Sequence, residues 1–413
     1  MANTYVRIPN DLTTVTTLNR ESEVAPNSVD LSDRAVANIW SDVEDVYRSG
    51  AYPAVTFCLR RKGEIVLNRA LGHSRGNGPQ ESGESAVRTT PETPMCLFSA
   101  SKAVTAILAL KLAEEGGIDI DKPVAHYIPE FGQNGKSKTT VSQVLSHHGG
   151  FPMFDLPKEE LTPERLTEWD FIIETLCKMA PEKRGKPRMG YHAITGGYIV
   201  GEIIKRVTGD DIQAYNDRVL RQPLGMKHFS YGLPQEHRAD VALNYEAGMP
   251  VRFPINKLIE KALNAPIEEV VEVSNSDIFY DAIIPAGNMF ANAEEMTRFY
   301  QMLLNRGEWN GQQILKPETT KLAVKPLTRL KFDHTLKIPM RYSQGLMLGA
   351  NPYGAWGPMT GSAFGHIGFA NIMCWADPKR DLTASLLVSG KAVLGSHLLT
   401  LGKLTSTIAW QCR

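Results

Sequence analysis

A serine and a lysine stand three residues apart where a loop gives way to an apolar run, in the stretch LFSASKAVTAILALKLAEEGG. If this run is a helix that begins near residue 99, Ser99 and Lys102 share one face, with their Cβ atoms about 5–6 Å apart. A serine hydroxyl needs a base before it can act as a nucleophile. Burial and the positive end of the helix dipole both disfavour the charged form of an amine at a helix N-terminus, so such an amine is partly neutral. The spacing therefore predicts Ser99 as a nucleophile and Lys102 as its base. Taken alone, the same residues also suit a helix N-cap followed by an exposed lysine.

A second serine competes with Ser99, because the pentapeptide Gly-His-Ser-Arg-Gly at 72–76 matches the G-x-S-x-G pattern of a nucleophile elbow. Such an elbow needs a strand before the serine and a helix after it. Pro79 and two glycines follow Ser74 at once and oppose a helix there. We therefore interpret Ser74 as part of a surface turn and Ser99 as the reactive serine.

Two later segments carry further candidates. Tyr191 stands before an apolar helix pattern, and a phenol beside a lysine cation is expected to have a lowered pKa and to relay protons. Tyr198 is the alternative, but its place within the apolar pattern favours the core. The sequence AFGHIGFAN places His366, Ile367 and Gly368 in a late strand, where a glycine often marks a close backbone approach.

The hydrophobic pattern indicates strands at both ends of the chain and helices between them. Helices are predicted over 33–50, 99–115, 140–147, 164–180, 194–208, 211–220, 256–264 and 394–410, and strands over 54–61, 64–72, 342–349, 363–378 and 382–390. This order favours an α/β (α+β) fold, in which N- and C-terminal segments build one antiparallel sheet flanked by helices, with a mainly helical domain inserted. The predicted units are an arm (1–30), a sheet domain (31–95 plus 285–413) and a helical domain (96–284) with a substrate cap (231–284).

Composition narrows the class of protein. The chain of 413 residues has 45 basic and 45 acidic residues, so its net charge favours neither nucleic acid nor an anionic membrane as a partner. Five scattered cysteines without a C-x-x-C pair argue against a disulfide framework and a zinc site. No signal peptide or bilayer-spanning run is visible, so we expect a cytoplasmic protein without membrane contact.

The ordered motifs Ser99-x-x-Lys102, Tyr191 and His366-Ile367-Gly368 resemble those of serine hydrolases with the class C β-lactamase fold, among them penicillin-binding D,D-peptidases and family VIII carboxylesterases. The resemblance implies a β-lactamase/transpeptidase-like architecture, an acyl-enzyme on Ser99, and proton transfer by Lys102 and Tyr191. It also implies that the 366–369 strand lines the acyl pocket, and that the backbone N–H of Phe369 joins that of Ser99 in an oxyanion hole. No cofactor or metal is implied.

Two departures from these relatives favour an ester substrate. The usual Tyr-x-Asn motif has Ala193 at its third position, and the usual Lys-Thr-Gly is replaced at 366–368, so an amide-binding side chain and a cation are missing. We expect a carboxylesterase acting on small to medium esters. The alternatives are an acyltransferase to an alcohol or amine, a residual β-lactamase or D,D-peptidase, and a non-catalytic scaffold.

Overall fold

A computed structural model describes residues 4–157, 160–182, 188–263 and 265–413. The helices of this part of the chain are α1 Asp33–Arg48, α2 Ser101–Glu114, α3 Val141–Leu145, α4 Trp169–Lys178, α5 Thr195–Thr208, α6 Ile212–Asn216, α7 Ile255–Leu263, α8 Ile267–Val273, α9 Asp277–Asp281, α10 Ala293–Leu304, α11 Pro317–Val324 and α12 His397–Gln411. A π-helical turn, Asp217–Arg221, continues α6.

The strands are mostly short, apart from those of the central sheet. They are β1 Thr16–Leu18, β2 Ala54–Arg61, β3 Glu64–Arg75, β4 Val87–Arg88, β5 Met95–Cys96, β6 Ser230–Tyr231, β7 Met289–Ala291, β8 Glu308–Trp309, β9 Gln312–Gln313, β10 Lys331–Phe332, β11 Pro339–Met340, β12 Met347–Leu348, β13 Tyr353–Gly354, β14 Gly357–Pro358, β15 Phe364–Gly368, β16 Ile372–Asp377 and β17 Leu382–Val388.

The central sheet joins the two ends of the chain. Its strand order is β1-β3-β2-β17-β16-β15-β12, with β4 paired to β3 outside this path. The N-terminal hairpin β2–β3 meets the C-terminal strands where β2 pairs antiparallel with β17, with Val55 opposite Val388 and Arg61 opposite Leu382. The predicted antiparallel sheet built from distant segments is therefore confirmed.

Helices cover both faces of this sheet. Successive side chains of a strand point to opposite sides, so β2 contacts the helices on both faces. On one face, Arg61 donates a hydrogen bond to the carbonyl of Cys412 beyond α12, and α12 packs against α1. On the other face, the thiol of Cys58 lies 3.3 Å from the hydroxyl of Thr297 in α10. Both faces are thereby removed from water, which explains why every residue of β2 is buried.

Helix α2 is buried on nearly all sides. It packs against β15, α5 and α11, and every one of its residues from Ser101 to Leu110 is buried. The strand that precedes it, β5, belongs to a small antiparallel sheet of order β5-β7-β6. These contacts fix the start of α2, where the candidate serine and lysine lie, between the central sheet and the helices.

Several helices were not predicted from the sequence. The segment 231–284 was expected to hold one short helix but contains three, α7 to α9, and the C-terminal third contains α10 and α11 as well as strands. Helix α8, with the sequence IEEVVEV, is short and rich in valine, which lowers helix propensity, so its apolar pattern alone does not reveal it. The strand predicted over 342–349 is reduced to the two residues of β12.

The division of the chain into an arm, a sheet domain and a helical domain stays a prediction. The arm begins with residues 1–3, which lie outside the described part of the chain. No helix among the described residues combines the length and the apolar character needed to cross a membrane.

Candidate active site

Ser99 lies in a tight turn between β5 and α2. A 3₁₀ turn, Phe98–Ala100, comes directly before α2, so the α-helix begins two residues later than predicted. Phe98 has a φ of 46°, a left-handed conformation that is unusual for an aromatic residue and points to local strain. The hydroxyl of Ser101 holds the turn, donating to the carbonyl of Phe98 and accepting the N–H of Met289 at 3.1 Å. Ser101 is thus occupied by backbone contacts, whereas Ser99 is partly exposed.

Lys102 reaches Ser99 as the three-residue spacing predicts. Its Nζ donates to Ser99 Oγ at 3.1 Å and to the carbonyl of Ala286 at 2.9 Å. The side chain is buried, and burial, which disfavours the charged amine, holds the pKa of Lys102 well below its ordinary value. A lysine that is neutral for part of the time can accept the proton of a serine hydroxyl.

Tyr191 lies beside this pair, but its pKa shifts in the direction opposite to the prediction. Burial raises the pKa of its phenol, against a smaller lowering by the nearby Ser99 side chain. The Lys102 Nζ lies 4.8 Å from the centre of the Tyr191 ring, above its face. Because burial lowers the pKa of Lys102, this amine is less often charged and stabilises a phenolate less. The Tyr191 hydroxyl is buried and makes no hydrogen bond of ordinary geometry to the described residues. Tyr191 is therefore a neutral phenol whose proton is free to be donated.

Strand β15 approaches the serine turn at Gly368. A Cβ at this position would lie 2.3 Å from the carbonyl oxygen of Leu97, so only glycine lets the strand run this close. The ring of Phe369, just beyond the strand, meets the ring of Phe98 edge-on with centroids 5.6 Å apart. The backbone after Gly368 is thereby placed next to the turn that carries Ser99.

The residues that follow His366 line a cavity at Ser99, described below, but the His366 side chain does not face it. Ile367, Gly368 and Phe369 line it, whereas the His366 side chain is fully buried, with Nδ1 2.9 Å from the carbonyl oxygen of Ile367. Burial lowers the pKa of His366 to about 3, and the charge of Lys102 adds to this effect. The expectation that all of 366–369 lines the pocket is therefore corrected for the imidazole, which lies beneath the site.

Two apolar cavities meet at Ser99. The larger encloses about 690 Å³, and the smaller about 140 Å³. Four residues line both: Ser99, Ala193, Leu263 and Phe369. Helix α8 supplies walls of the smaller cavity, and the strands β11, β12 and β13 supply walls of the larger, whereas α7 lines both. A volume of several hundred Å³ is typical of sites for drug-sized organic ligands.

A buried carboxylate, which sequence reasoning missed, anchors the tyrosine segment. Asp333 Oδ1 accepts the backbone N–H groups of Tyr191 at 3.1 Å, Thr335 at 2.8 Å and Leu336 at 2.9 Å. Its other oxygen accepts the hydroxyl of Tyr342 at 3.0 Å. Because Asp333 lies 142 residues from Tyr191 along the chain, no local pattern connects them.

Two further histidines pack behind the site. The His147 ring lies 4.7 Å from that of Tyr191, and its Nδ1 accepts the backbone N–H of His192 at 3.2 Å. Burial holds the pKa of His147 well below its ordinary value and lowers that of His192 to about 3. Both imidazoles are therefore neutral packing groups at neutral pH.

Ser74 lies apart from this constellation. It is buried within β3, which runs on to Arg75, and its hydroxyl donates to the carbonyl of Val87 in β4 at 3.3 Å. The interpretation of Ser74 as part of a surface turn is therefore wrong, because the β4 pairing extends the strand past the predicted end. Ser74 lines neither of the two cavities at Ser99.

Comparison with known proteins identifies the family. The model of the family described as Beta-lactamase matches residues 33–400, nearly the whole chain. This chain belongs to the beta-lactamase family. The esterase/beta-lactamase LipL of Mycobacterium tuberculosis is 28% identical over 305 residues, covering 70% of this chain and 68% of LipL.

Two solved structures share the fold of this chain. A penicillin-binding protein homologue from Caulobacter crescentus has a TM-score of 0.78 and 28% identity, covering 92% of this chain and 98% of that structure. A family VIII carboxylesterase has a TM-score of 0.76 and 25% identity, covering 93% of this chain and 99% of that structure. The protein is a serine hydrolase of β-lactamase fold, and the resemblance stated from the motifs is confirmed.

Proposed function

We propose that this beta-lactamase-family hydrolase is a serine carboxylesterase that forms an acyl-enzyme on Ser99. The observation that carries the proposal is the buried Lys102 Nζ, 3.1 Å from a serine hydroxyl at the junction of two apolar cavities. A helix N-cap followed by an exposed lysine does not account for a buried amine in this position. Apolar walls suit an ester better than the charged, amide-rich substrate of a peptidase.

The pKa shifts support different proton-transfer roles for Lys102 and Tyr191. Lys102, whose pKa is lowered, takes the Ser99 proton as Oγ attacks the ester carbonyl. The N–H groups of Ser99 and Phe369 stabilise the oxyanion. As the tetrahedral intermediate collapses, Tyr191, whose pKa is raised, gives its proton to the leaving alkoxide and regains one from the Lys102 ammonium.

Hydrolysis of the acyl-enzyme reuses the same groups. With the alcohol gone, neutral Lys102 takes a proton from a water that attacks the acyl carbonyl. When the second intermediate collapses, the Ser99 alkoxide leaves and recovers that proton from Lys102. Each group ends in its starting state, and the net reaction is ester plus water to acid plus alcohol. No cofactor or metal is required by this scheme.

The two cavities receive different parts of the substrate. Tyr191 lines the larger cavity and is absent from the walls of the smaller one, so the alcohol that it protonates leaves through the larger cavity. The acyl chain then occupies the cavity of about 140 Å³ beneath the cap. An apolar cavity of about 150 Å³ holds a benzene ring in another protein, so acyl groups of about six carbons are expected to fit.

Hydrolysis of p-nitrophenyl esters tests the proposal. We expect the wild type to hydrolyse acetate to hexanoate esters, and Ser99→Ala to lose at least about a thousandfold in kcat. Ser74→Ala is the matched control, because Ser74 lies outside both cavities, and it should keep wild-type activity. Equal activity of wild type and Ser99→Ala, or none across these chain lengths, would contradict the proposal.

Acyl transfer is the second candidate, because the larger cavity has room for an alcohol acceptor as well as for a leaving group. The aromatic side chains of 231–284 do not form a single acceptor surface: Phe279 lines the smaller cavity, whereas Phe253 is exposed and the Tyr245 hydroxyl accepts the N–H of Gly76. Mass spectrometry of products formed with added alcohols separates transfer from hydrolysis. A residual β-lactamase activity would appear as turnover of a chromogenic cephalosporin, which we expect to be absent.

A further inference from the structure

The outer wall of the larger cavity contains a segment of alternating basic and apolar residues, TRLKFDHTLKI at 328–338. We call these residues the mouth segment. Leu330 and Ile338 line the cavity, yet 57% and 50% of their surfaces are exposed, and Phe332 between them is 49% exposed. Contiguous exposed apolar side chains of this size usually mark a contact surface.

The cations of the mouth segment have no anionic partners among the residues that the structure describes. Arg329, Lys331 and Lys337 are exposed, and none forms an ion pair with another residue of the described part of the chain. The segment's acidic residue, Asp333, is fully buried and held by backbone N–H groups. The zero net charge of the whole chain therefore hides a local positive surface beside the active-site opening.

Helix α7 also lines the larger cavity. Leu258 lines the larger cavity and is 39% exposed, and Phe253, just before the helix, is 81% exposed. Because α7 and the mouth segment line the same cavity, the exposed Leu258, Leu330 and Ile338 lie at one opening. The apolar surface thus continues from solvent through the opening to Ser99.

We propose that the mouth segment and the start of α7 dock on an anionic lipid surface, from which a lipophilic ester enters the larger cavity. Apolar side chains insert at the boundary between headgroups and acyl chains, while basic side chains pair with anionic headgroups. Delivery of an ester rests on the proposed esterase function, whereas docking itself does not.

A second copy of this chain fits the same surface less well. Two identical patches meeting around a two-fold axis would bring the unpaired cations of both copies together, and like charges repel. A lipid surface supplies both the negative charge and the apolar phase that the two kinds of exposed residue need. The lipid surface is therefore the occupant that the mouth segment favours.

Vesicle flotation tests the proposal. The wild type is expected to float with vesicles of phosphatidylcholine mixed with phosphatidylglycerol, less with phosphatidylcholine alone, and less again at high salt. Changing Arg329, Lys331 and Lys337 together to Ser should weaken binding about a hundredfold, at about fivefold for each cation. The matched control changes three exposed lysines outside the mouth segment, Lys122, Lys138 and Lys379, to Ser and should bind as the wild type does.

A second pair of variants tests the apolar contact. Phe253→Ser with Phe332→Ser should also weaken binding, whereas Leu399→Ser, at an exposed leucine of α12, should not. None of these three residues lines a cavity at Ser99, so hydrolysis of soluble p-nitrophenyl acetate should stay unchanged in all variants. That assay also shows that each variant is folded.

Three results would overturn the docking proposal: a wild type that does not float, mouth variants that float as well as their controls, or light scattering that shows a dimer lost in the mouth variants. Ser99→Ala should float like the wild type. Docking by a protein that hydrolyses no ester would refute the esterase function alone, and hydrolysis without docking would refute this inference alone.

Discussion

Lys391 is a second buried lysine, outside the proposed reaction, and its burial predicts a pH-dependent stability. It is 2% exposed, its Nζ donates to the carbonyl of Val388 at 3.0 Å, and it lies 4.6 Å from the centre of the Phe98 ring. Burial lowers the pKa of Lys391 from 10.5 to about 7, against a smaller raising by Cys96. The perturbation we consider is Lys391→Met, which keeps the length of the side chain and removes the amine.

The sign of the effect follows from proton binding. Between pH 7 and 10 the unfolded chain holds a proton on Lys391 that the folded protein has released, so this residue makes wild-type stability rise with pH. Below pH 7 both states are protonated, and the folded protein bears the full penalty of a buried cation. Met has no such penalty, so Lys391→Met should stabilise the protein most at low pH.

The magnitude follows from the same shift. One pKa unit corresponds to about 1.4 kcal/mol. Between pH 7 and pH 9, about two pH units, the folded protein has released the Lys391 proton that the unfolded chain keeps. The stability gained by Lys391→Met should therefore be about 2–3 kcal/mol larger at pH 6 than at pH 9. Contributions from other groups cancel where they are the same in both proteins.

Urea unfolding followed by tryptophan fluorescence at the two pH values measures this difference. The exposed Lys379→Met controls for the loss of one positive charge. A gain from Lys391→Met that is the same at both pH values, or larger at pH 9, would refute the reasoning that a buried amine penalises the folded state.

Three further predictions concern the groups around Ser99. Asp333→Ala leaves three backbone N–H groups without an acceptor, so it should lower the free energy of unfolding by about 2–4 kcal/mol and reduce kcat. Asp333→Asn keeps an acceptor and should keep most of the stability and most of the activity. Equal urea unfolding curves for wild type and Asp333→Ala would refute this prediction. Gly368→Ala should reduce kcat/KM at least about tenfold, measured with p-nitrophenyl butyrate, because its Cβ would meet the Leu97 carbonyl and push the strand away; wild-type kinetics would show that the approach is unimportant. Activity should fall as the pH drops through the lowered pKa of Lys102, because the protonated amine is no base; a kcat/KM profile without an acidic limb would contradict this role.

The sequence predicted the parts of the site that depend on local spacing. Ser99 and Lys102 meet because residues three apart at a helix start share one face. Gly368 was expected at a close backbone approach, and it lies against Leu97. The antiparallel sheet followed from strand patterns at the two ends of the chain.

Features that depend on distant contacts were missed or reversed. The pKa of Tyr191 was expected to fall because of a neighbouring cation, but burial by segments far along the chain raises it. Asp333 has no sequence motif, and only the folded chain brings it to Tyr191. Ser74 was placed in a turn because the pairing of β3 with β4 is invisible in the local composition.

Helix α10 was not predicted, although its start carries a local sequence signal. Helix α10 begins with a capping box, in which the side chain of Asn292 accepts the N–H of Glu295 and the side chain of Glu295 accepts the N–H of Asn292. This pairing of Asn with Glu three residues later, followed by an apolar pattern, predicts a helix start. Helix α10 was therefore predictable from the sequence.

The most direct test of the account is the identity of the serine that becomes acylated. Treatment with a fluorophosphonate probe, digestion and mass spectrometry locate the modified residue. We predict one modification, on the peptide that contains Ser99, with labelling abolished in Ser99→Ala and slowed in Lys102→Met. A label on Ser74 or Ser101, or undiminished labelling of Ser99→Ala, would contradict the central claim that Lys102 activates Ser99.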